Sequence, residues 1–146
     1  MKKKYKVLRD SREKSTGWYF APSEFCIGTA ITKLDSGDYS LEGYQDVFSI
    51  ERKYSTGEFA ANIIQPRFEK ELDRLELYKH AFVICEFDEE DILKFPNNSK
   101  IPPKYWRRLR VNSGFMQKKL EYYKGKYKTE FILAGQLGKQ KAIELF

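Results

Sequence analysis

The sequence predicts an α/β fold in which a central mixed β-sheet is flanked by helices. Short β-forming segments joined by turns occupy the first half of the chain, whereas helical and apolar strand-like segments alternate in the second half. That order of elements is typical of a sheet covered by helices. The chain has 146 residues, of which 41% are hydrophobic, and this suffices for one buried core. We therefore expect one domain that spans residues 1–146.

Four strands are predicted in the first half of the chain. They occupy residues 5–10, 30–34, 38–41 and 47–53. A loop that contains Gly17 and Pro22 separates the first two strands, and Gly37 marks a bend or bulge before the third. Five residues, 42–46, connect the last two strands, which is a length typical of a β-hairpin.

The second half is predicted to alternate helices and strands. Ser55 is a suitable N-cap for a helix over residues 55–64, and Pro66 suits the first position of the next helix. One side of that second helix carries Phe68, Leu72, Leu75 and Lys79. The remaining elements are an apolar strand over residues 81–87, a loop over 88–103, a mostly helical stretch over 104–123 with a break at 112–114, a strand over 129–134 and a helix over 138–146.

Positive charge is concentrated in one segment. Residues 100–128 contain ten Lys or Arg and one acid, Glu121, so this segment carries +9 of a chain whose formal net charge is +6. A basic segment interleaved with tyrosines suits a phosphate backbone, and a solvated helix face has the same composition. The candidate nucleic-acid contacts in this segment are Lys104, Arg107 and Arg108.

Composition argues against several functional classes. Two cysteines and one histidine are too few for a zinc site built from Cys and His. No apolar run approaches the roughly 20 residues that cross a bilayer, and the N-terminus lacks the apolar region and cleavage site of a signal peptide. We therefore expect a cytoplasmic protein, or a nuclear one in a eukaryote, with no membrane partner.

Acidic and basic side chains are expected to meet at one end of the predicted hairpin. Side chains alternate along a strand, so Glu51 and Lys53 lie on one face of the return strand and Arg52 lies on the other. The five-residue turn brings Asp38 opposite Ile50 or Glu51. Two carboxylates and one ammonium group therefore converge.

Two carboxylates in such proximity repel each other unless something is bound between them. Carboxylates, a backbone carbonyl and waters are hard oxygen ligands that suit Mg²⁺ or Mn²⁺. A metal ion in this position can activate a water molecule and clamp a scissile phosphate, and Lys53 can stabilise the charge that develops on the phosphate. The combination predicts phosphodiester hydrolysis, and an exposed hairpin with ordinary surface charges is the alternative.

These residues also resemble the motifs of a known family. The matching patterns, in chain order, are Asp10-Ser11-Arg12-Glu13, Gly37-Asp38-Tyr39, Glu51-Arg52-Lys53, Arg67-Phe68 followed by Glu71 and Arg74-Leu75, and the strand end at 131–135. They are similar to the motifs of XPF-type structure-specific endonucleases, whose core pattern is GD…ERK, and they cover nearly the whole chain. The resemblance implies a restriction-endonuclease-like fold of the PD-(D/E)xK type.

The resemblance also implies a role for each residue of the core pattern. Asp38 and Glu51 are the expected ligands of Mg²⁺ or Mn²⁺, together with the backbone carbonyl of Arg52. Lys53 is expected to be catalytic. Asp10 is expected to support the metal or its water, and the alternative is that it caps the turn that follows.

Further motif residues have open roles. Arg12 and Glu13 are expected to form an ion pair, either near the site or on the surface, and Arg12 is also a candidate DNA contact. Arg67 is another candidate DNA contact, and a surface charge at a helix start is the alternative. The family has an Asp at the position of Gly57, and the neighbouring Glu58 is a possible substitute.

The resemblance implies a substrate and an assembly as well. Family members cut branched DNA such as flaps, forks or junctions in repair, recombination or replication. They commonly pair through this domain, so we expect a homodimer, with the last two helices as its surface. Because neither a helix-hairpin-helix nor a helicase domain is expected, a partner protein is a possible source of further DNA binding. Two alternatives remain open: a non-catalytic DNA-binding subunit of a nuclease complex, and a nuclease specific for RNA or single strands.

Overall fold

Six strands form one mixed sheet in the computed structural model, which describes residues 3–146. In chain order they are β1 (Tyr5–Asp10), β2 (Cys26–Thr32), β3 (Tyr39–Leu41), β4 (Phe48–Lys53), β5 (His80–Cys85) and β6 (Glu130–Leu133). Across the sheet the order is β2-β1-β3-β4-β5-β6. β3 is antiparallel to β1 and β4, and the other neighbouring pairs are parallel. The predicted α/β class with a mixed sheet is confirmed.

Helices cover both faces of this sheet. They are α1 (Thr56–Ile63), α2 (Pro66–Leu75), α3 (Glu89–Leu93), α4 (Ser113–Lys126) and α5 (Gly138–Leu145), with 3-10 helices at Pro103–Arg108 and Gly135–Leu137. Side chains of α1, α2 and α4, among them Phe59 and Met116, pack with Val83 in one core cluster. Ala142 of α5 packs with Ile84 in the other cluster. Because Val83 and Ile84 are neighbours in β5, these clusters lie on opposite faces of the sheet.

Local signals account for the start of α1 and α2. The hydroxyl oxygen of Ser55 accepts a hydrogen bond from the Glu58 N–H at 3.1 Å, and Pro66 is the first residue of α2, as predicted. The buried residues of α2 are Phe68, Leu72 and Leu75. The prediction that Lys79 shares their side is wrong, because α2 ends before it.

The prediction for the second strand is wrong in its position. β2 begins at Cys26 and ends at Thr32, whereas the expected strand covered residues 30–34. It pairs in parallel with β1, and Leu8 lies opposite Ala30. Pairing with β1 provides hydrogen-bond partners for the backbone of β2 from Cys26 onward. Gly28, which has a φ of +132°, is a residue type that is uncommon in strands, so the sequence alone did not indicate a strand there.

The region predicted as a loop over residues 88–103 contains a helix. Asp88 caps α3 by accepting the Asp91 N–H at 2.9 Å, and the Asp91 carboxylate accepts the Asp88 N–H at 3.1 Å. This reciprocal capping box stabilises a helix of one turn. A break in the predicted helical stretch is present, but it covers residues 109–112 and not 112–114. Ser113 and Gly114 already belong to α4, because Asn112 caps this helix by accepting the Phe115 N–H at 2.8 Å. Across residues 3–146, every helix is too short or too polar to span a membrane.

Candidate active site

β3 and β4 bring two acidic side chains together. Tyr39 pairs with Ile50 across these antiparallel strands, and the Asp38 N–H donates to the Ile50 carbonyl at 2.8 Å. The Arg52 N–H donates to Oδ2 of Asp38 at 2.7 Å. Asp38 is therefore opposite Glu51, in the register expected from the length of the turn.

Gly37 allows the chain to approach β4 just before Asp38. Its φ of +77° lies in the left-handed region, which side chains other than glycine rarely adopt. A β-carbon at this position would collide with the Ser49 hydroxyl and would lie 3.1 Å from the Ile50 carbonyl oxygen. The glycine therefore helps to fix the position of the Asp38 carboxylate.

Burial and negative charge both disfavour ionisation of Glu51. Its residue exposure is 8%. The pKa of Glu51 is raised well above its ordinary value of 4.5, first by burial and then by the charge of Asp38, while Lys53 opposes the shift. A divalent cation at the pair would offset the charge of Asp38 and favour the ionised form of Glu51.

The ammonium group of Lys53 is buried beside these acids. Its Nζ donates to Oδ1 of Asn62 at 2.6 Å. Burial by itself lowers the pKa of Lys53, but the charges of Glu51, Glu58 and Glu71 outweigh it, and the net pKa is raised. Lys53 is therefore protonated at neutral pH, and an ammonium group has three N–H donors, of which Asn62 takes one.

The side chain of Arg52 makes its contacts inside the protein, on the face of β4 opposite to Glu51 and Lys53. Its guanidinium pairs with Glu86, lies 3.7 Å from a carboxylate oxygen of Glu13 and donates to the Thr16 carbonyl at 2.9 Å. Its backbone instead faces Asp38, because the N–H and C=O of one strand residue point to the same side. The Arg52 carbonyl is therefore on the side of the acid pair, as a metal ligand would have to be.

Asp10 holds the loop that follows β1. Its carboxylate accepts hydrogen bonds from the Leu34 N–H at 2.8 Å and from Nε of Arg12 at 3.0 Å. Arg12 thus pairs with Asp10 and not with Glu13, which was its expected partner. Asp10 has the contacts of a cap, and it also lines a cavity with Asp38.

A packed loop occupies the space beside Gly57. A β-carbon there would collide with the Ser99 carbonyl and would lie 2.8 Å from Cγ1 of Ile101. The Gly57 N–H also donates to the Ser99 carbonyl at 3.1 Å. The acid that the family carries at this position therefore has no room in this chain.

Glu58 lies beside that glycine and lines a cavity with Asp38 and Glu51. Its carboxylate accepts the Tyr54 N–H at 2.8 Å and pairs with Lys14. Burial raises the pKa of Glu58, but these two contacts and the charge of nearby Lys53 outweigh burial, and the net pKa is lowered. Glu58 is therefore an ionised acid at the wall of the site.

Placing the family acid at position 57 is expected to destabilise the protein. Gly57→Asp has to displace the Ser99 carbonyl and Ile101, so we expect the free energy of unfolding in urea to fall by about 1–3 kcal/mol. Gly125→Asp is the matched control, because a β-carbon at Gly125 meets no atom within 4 Å. Equal unfolding midpoints for wild type and Gly57→Asp would contradict this packing.

Two cavities of about 210 and 260 Å³ expose the acid pair. The residues that line both are Arg12, Asp38, Glu51, Arg67 and Glu71. The polar lining side chains that the sequence analysis gave no role are Lys14, Asp35, Ser36, Asn62, Gln65, Glu71 and Arg74. The positions of Glu71 and Arg74 could have been predicted from the sequence, because residues 67, 71 and 74 share one side of a helix.

The predicted DNA contacts divide into two groups. Arg12 and Arg67 line both cavities, and their side chains are 62% and 83% exposed. The second group is Lys104, Arg107 and Arg108, which belong to the 3-10 helix Pro103–Arg108. None of these three lines either cavity. The first group is placed to contact a phosphate at the acid pair, and the second is not.

The donor set at this site fits a magnesium-type ion. Within residues 3–146, no group of three or more His, Cys, Asp or Glu side chains is arranged to hold a metal. Asp38, Glu51 and the Arg52 carbonyl nevertheless match the sites of Mg²⁺, which uses one or two carboxylates and keeps several waters or substrate oxygens. The raised pKa of Glu51 indicates the uncompensated charge that such an ion would remove.

Comparisons with known proteins concern the family and the fold of the chain. The family model described as "ERCC4 domain" matches residues 9–127. Two solved structures resemble the chain: "XPF from Aeropyrum pernix", with a TM-score of 0.62 over 96% of this chain, and the same protein in "complex with DNA", with a TM-score of 0.63 over 97%. Both are 21% identical to it, so this likeness concerns the fold. It confirms the predicted restriction-endonuclease-like architecture.

The chain spans 62% of the length of each of these known structures. No curated protein matches the sequence.

Proposed function

The chain belongs to the ERCC4 domain family, and from this premise we propose that it is a metal-dependent endonuclease that hydrolyses phosphodiester bonds in branched DNA. The membership implies a structure-specific DNA endonuclease. Branched substrates such as flaps, forks or junctions, and a role in repair, recombination or replication, are part of the proposal. One observation supports it most: Asp38 and Glu51 lie opposite each other, and Glu51 has a raised pKa beside the buried Lys53.

In the proposed mechanism each residue has one task. Asp38, Glu51 and the Arg52 carbonyl would hold Mg²⁺ or Mn²⁺, which when bound activates a water molecule and neutralises charge on the phosphate. The Lys53 ammonium donates a hydrogen bond to a phosphoryl oxygen as negative charge develops there. Its hydrogen bond to Asn62 holds that ammonium in position.

The arginines beside the cavities are proposed to orient the DNA backbone. Arg12 and Arg67 are exposed, and both line the two cavities, while Arg74 lines the first. A guanidinium group matches the geometry of a phosphate with paired N–H donors. Lys104, Arg107 and Arg108 are proposed to contact a more distant part of the DNA.

A non-catalytic DNA-binding subunit is the rival function. The packed loop that fills the space of the missing acid at Gly57 favours it, because loss of an acid is compatible with loss of activity. Retention of Asp38, Glu51 and Lys53 in one cluster favours catalysis. Glu58 at the cavity wall offers a carboxylate near the vacated position.

We further propose that the chain forms a homodimer, with the last two helices, α4 and α5, as its surface. These helices pack on opposite faces of the sheet. Beside α4, a groove shared with α3 exposes Leu93, whose exposure is 61%. An exposed apolar side chain in a groove suits a second copy, and a partner protein that supplies DNA binding is the alternative.

The test is cleavage of labelled flap, fork, junction and linear DNA by the wild-type chain. We expect cutting of branched DNA with Mg²⁺ or Mn²⁺ and none with a chelator. Binding of branched DNA without cutting by either metal would contradict the catalytic proposal and support the rival. A matched RNA substrate that is cut faster than the DNA would contradict the proposed substrate.

A further inference from the structure

One side of α4 alternates aromatic and basic side chains. Phe115, Lys119, Tyr122 and Lys126 follow one another at intervals of four, three and four residues, which places them on one side of a helix. The two rings are exposed, Phe115 by 40% and Tyr122 by 47%. We call these four residues the α4 stripe. Its length along the helix is roughly 16 Å at the rise of an α-helix.

The lysines and rings of the stripe contact one another. Nζ of Lys119 lies 5.4 Å from the ring centroid of Tyr122 and 6.0 Å from that of Phe115. Nζ of Lys126 lies 5.4 Å from the Tyr122 centroid. The stripe is therefore a row in which positive charges and aromatic rings alternate, and this row is not part of the buried side of α4, which consists of Met116, Leu120 and Tyr123.

The opposite side of α4 has a different character. Gln117, Glu121 and Lys124 line the groove with Leu93 of α3. The two uses expected of this basic segment, self-association and DNA binding, thus fall on separate sides of one helix. A twofold dimer through the stripe would bring four lysines, two from each copy, into one interface, where like charges repel. A polyanion complements the stripe better than a second copy does.

The stripe ends beside α2, the helix that borders the acid cleft. Nζ of Lys126, at the end of the stripe, lies 3.8 Å from Oε1 of Glu69 in the first turn of α2. Arg67 belongs to the same turn and lines both cavities beside the acid pair, but residues two positions apart do not share a side of a helix. The stripe and the acid cleft therefore lie on different sides of α2, and the stripe is a surface separate from the cleft.

We propose that the α4 stripe binds a single strand of DNA outside the acid cleft. Bases stack on Phe115 and Tyr122, and phosphates pair with Lys119 and Lys126. A single strand fits better than a duplex, because only unpaired bases present their faces to aromatic side chains. The role of this strand as an arm of the substrate rests on the proposed nuclease function, but its binding does not.

The test is fluorescence anisotropy with a labelled single-stranded oligothymidine in chelator. Loss of stacking costs about 1–3 kcal/mol per base, or roughly 5–150-fold in affinity, so Phe115→Ala/Tyr122→Ala should bind at least about tenfold more weakly. Lys119→Ala/Lys126→Ala should reduce the slope of log affinity against log salt by about 1.4, at about 0.7 per phosphate. Tyr44→Ala is the control for an exposed ring, with an exposure of 52%, and should bind as wild type.

Two results would overturn the proposal. One is wild-type affinity for the single strand in the ring variant. The other is a change of oligomeric state in the ring variant, measured by sedimentation, with unchanged affinity, which would make the stripe a contact between copies. Binding is measured in chelator, where no cleavage is expected. A wild type that binds through the stripe but cuts nothing in Mg²⁺ would therefore support this inference while the proposed nuclease function fails.

Discussion

Replacing Glu51 by glutamine is expected to abolish cleavage and, without divalent ions, to make the protein more stable. Burial and the charge of Asp38 raise the pKa of Glu51, so ionising it in the folded state costs free energy at neutral pH. The neutral amide removes that cost, while Lys53 keeps Glu58 and Glu71 nearby. Each 1 kcal/mol gained would raise Tm by roughly 2–4 °C for a chain of this size.

The pH dependence of this effect has a definite sign. An acid whose pKa is higher in the folded than in the unfolded state binds its proton more tightly when folded. In chelator, the wild type is therefore expected to lose stability as pH rises from about the ordinary value of 4.5 through the raised pKa of Glu51. Glu51→Gln lacks that loss, so its advantage in Tm should grow over the same interval.

Thermal unfolding in chelator and in Mg²⁺ measures these effects. Glu90→Gln is the control, because the side chain of Glu90 is 68% exposed, and it should alter neither stability nor cleavage by much. Added Mg²⁺ should raise the Tm of the wild type and not that of Glu51→Gln. A Glu51 variant that is less stable than the wild type in chelator would contradict the electrostatic account.

Arg52→Met is expected to cause the largest loss of stability among the substitutions considered. The Arg52 side chain is 2% exposed, pairs with Glu86 and lies near Glu13, and donates to Thr16. Removing one partner of a buried ion pair leaves an uncompensated charge and costs about 3–5 kcal/mol. For a chain of this size that corresponds to a fall of roughly 6–20 °C in Tm.

Urea denaturation with two further variants isolates the cause. Arg67→Met is the matched control, because the Arg67 side chain is 83% exposed, and it should change stability by less than about 1 kcal/mol. Combining Arg52→Met with Glu13→Gln should recover part of the loss, since it removes one of the carboxylates left unpaired. An Arg52→Met midpoint equal to that of the wild type would show that the buried pair contributes nothing.

The centre of the site was predictable because its geometry is local. Strand alternation alone puts Glu51 and Lys53 on one face, and the length of one turn sets Asp38 opposite Glu51. The cap at Ser55 and the first residue of α2 follow from equally short-range rules. These signals act within a few residues, so one sequence contains them.

The surroundings of the site depend on contacts between distant segments. No residue near Gly57 in the sequence indicates that Ser99 and Ile101 pack against it. Arg52 likewise bonds to Thr16 and Glu86, which lie 36 and 34 residues away from it in the sequence. β2 was misplaced for the same reason, because its pairing with β1 is decided by the ladder and not by its own composition. The capping box of α3 is a local signal, and it would have predicted a helix where the sequence analysis expected a loop.

Single-turnover cleavage of a flap DNA in Mg²⁺ by wild type and Asp38→Asn tests most directly whether the acid pair is the catalytic centre. The amide is similar in size and still offers an oxygen to the Arg52 N–H. We predict cleavage at least about a hundred times slower, while Asp35→Asn, from the same cavity, cuts nearly as the wild type does. Circular dichroism checks the fold. If Asp38→Asn cuts as fast as the wild type and a chelator stops both, the metal is held elsewhere and the account of this site is contradicted.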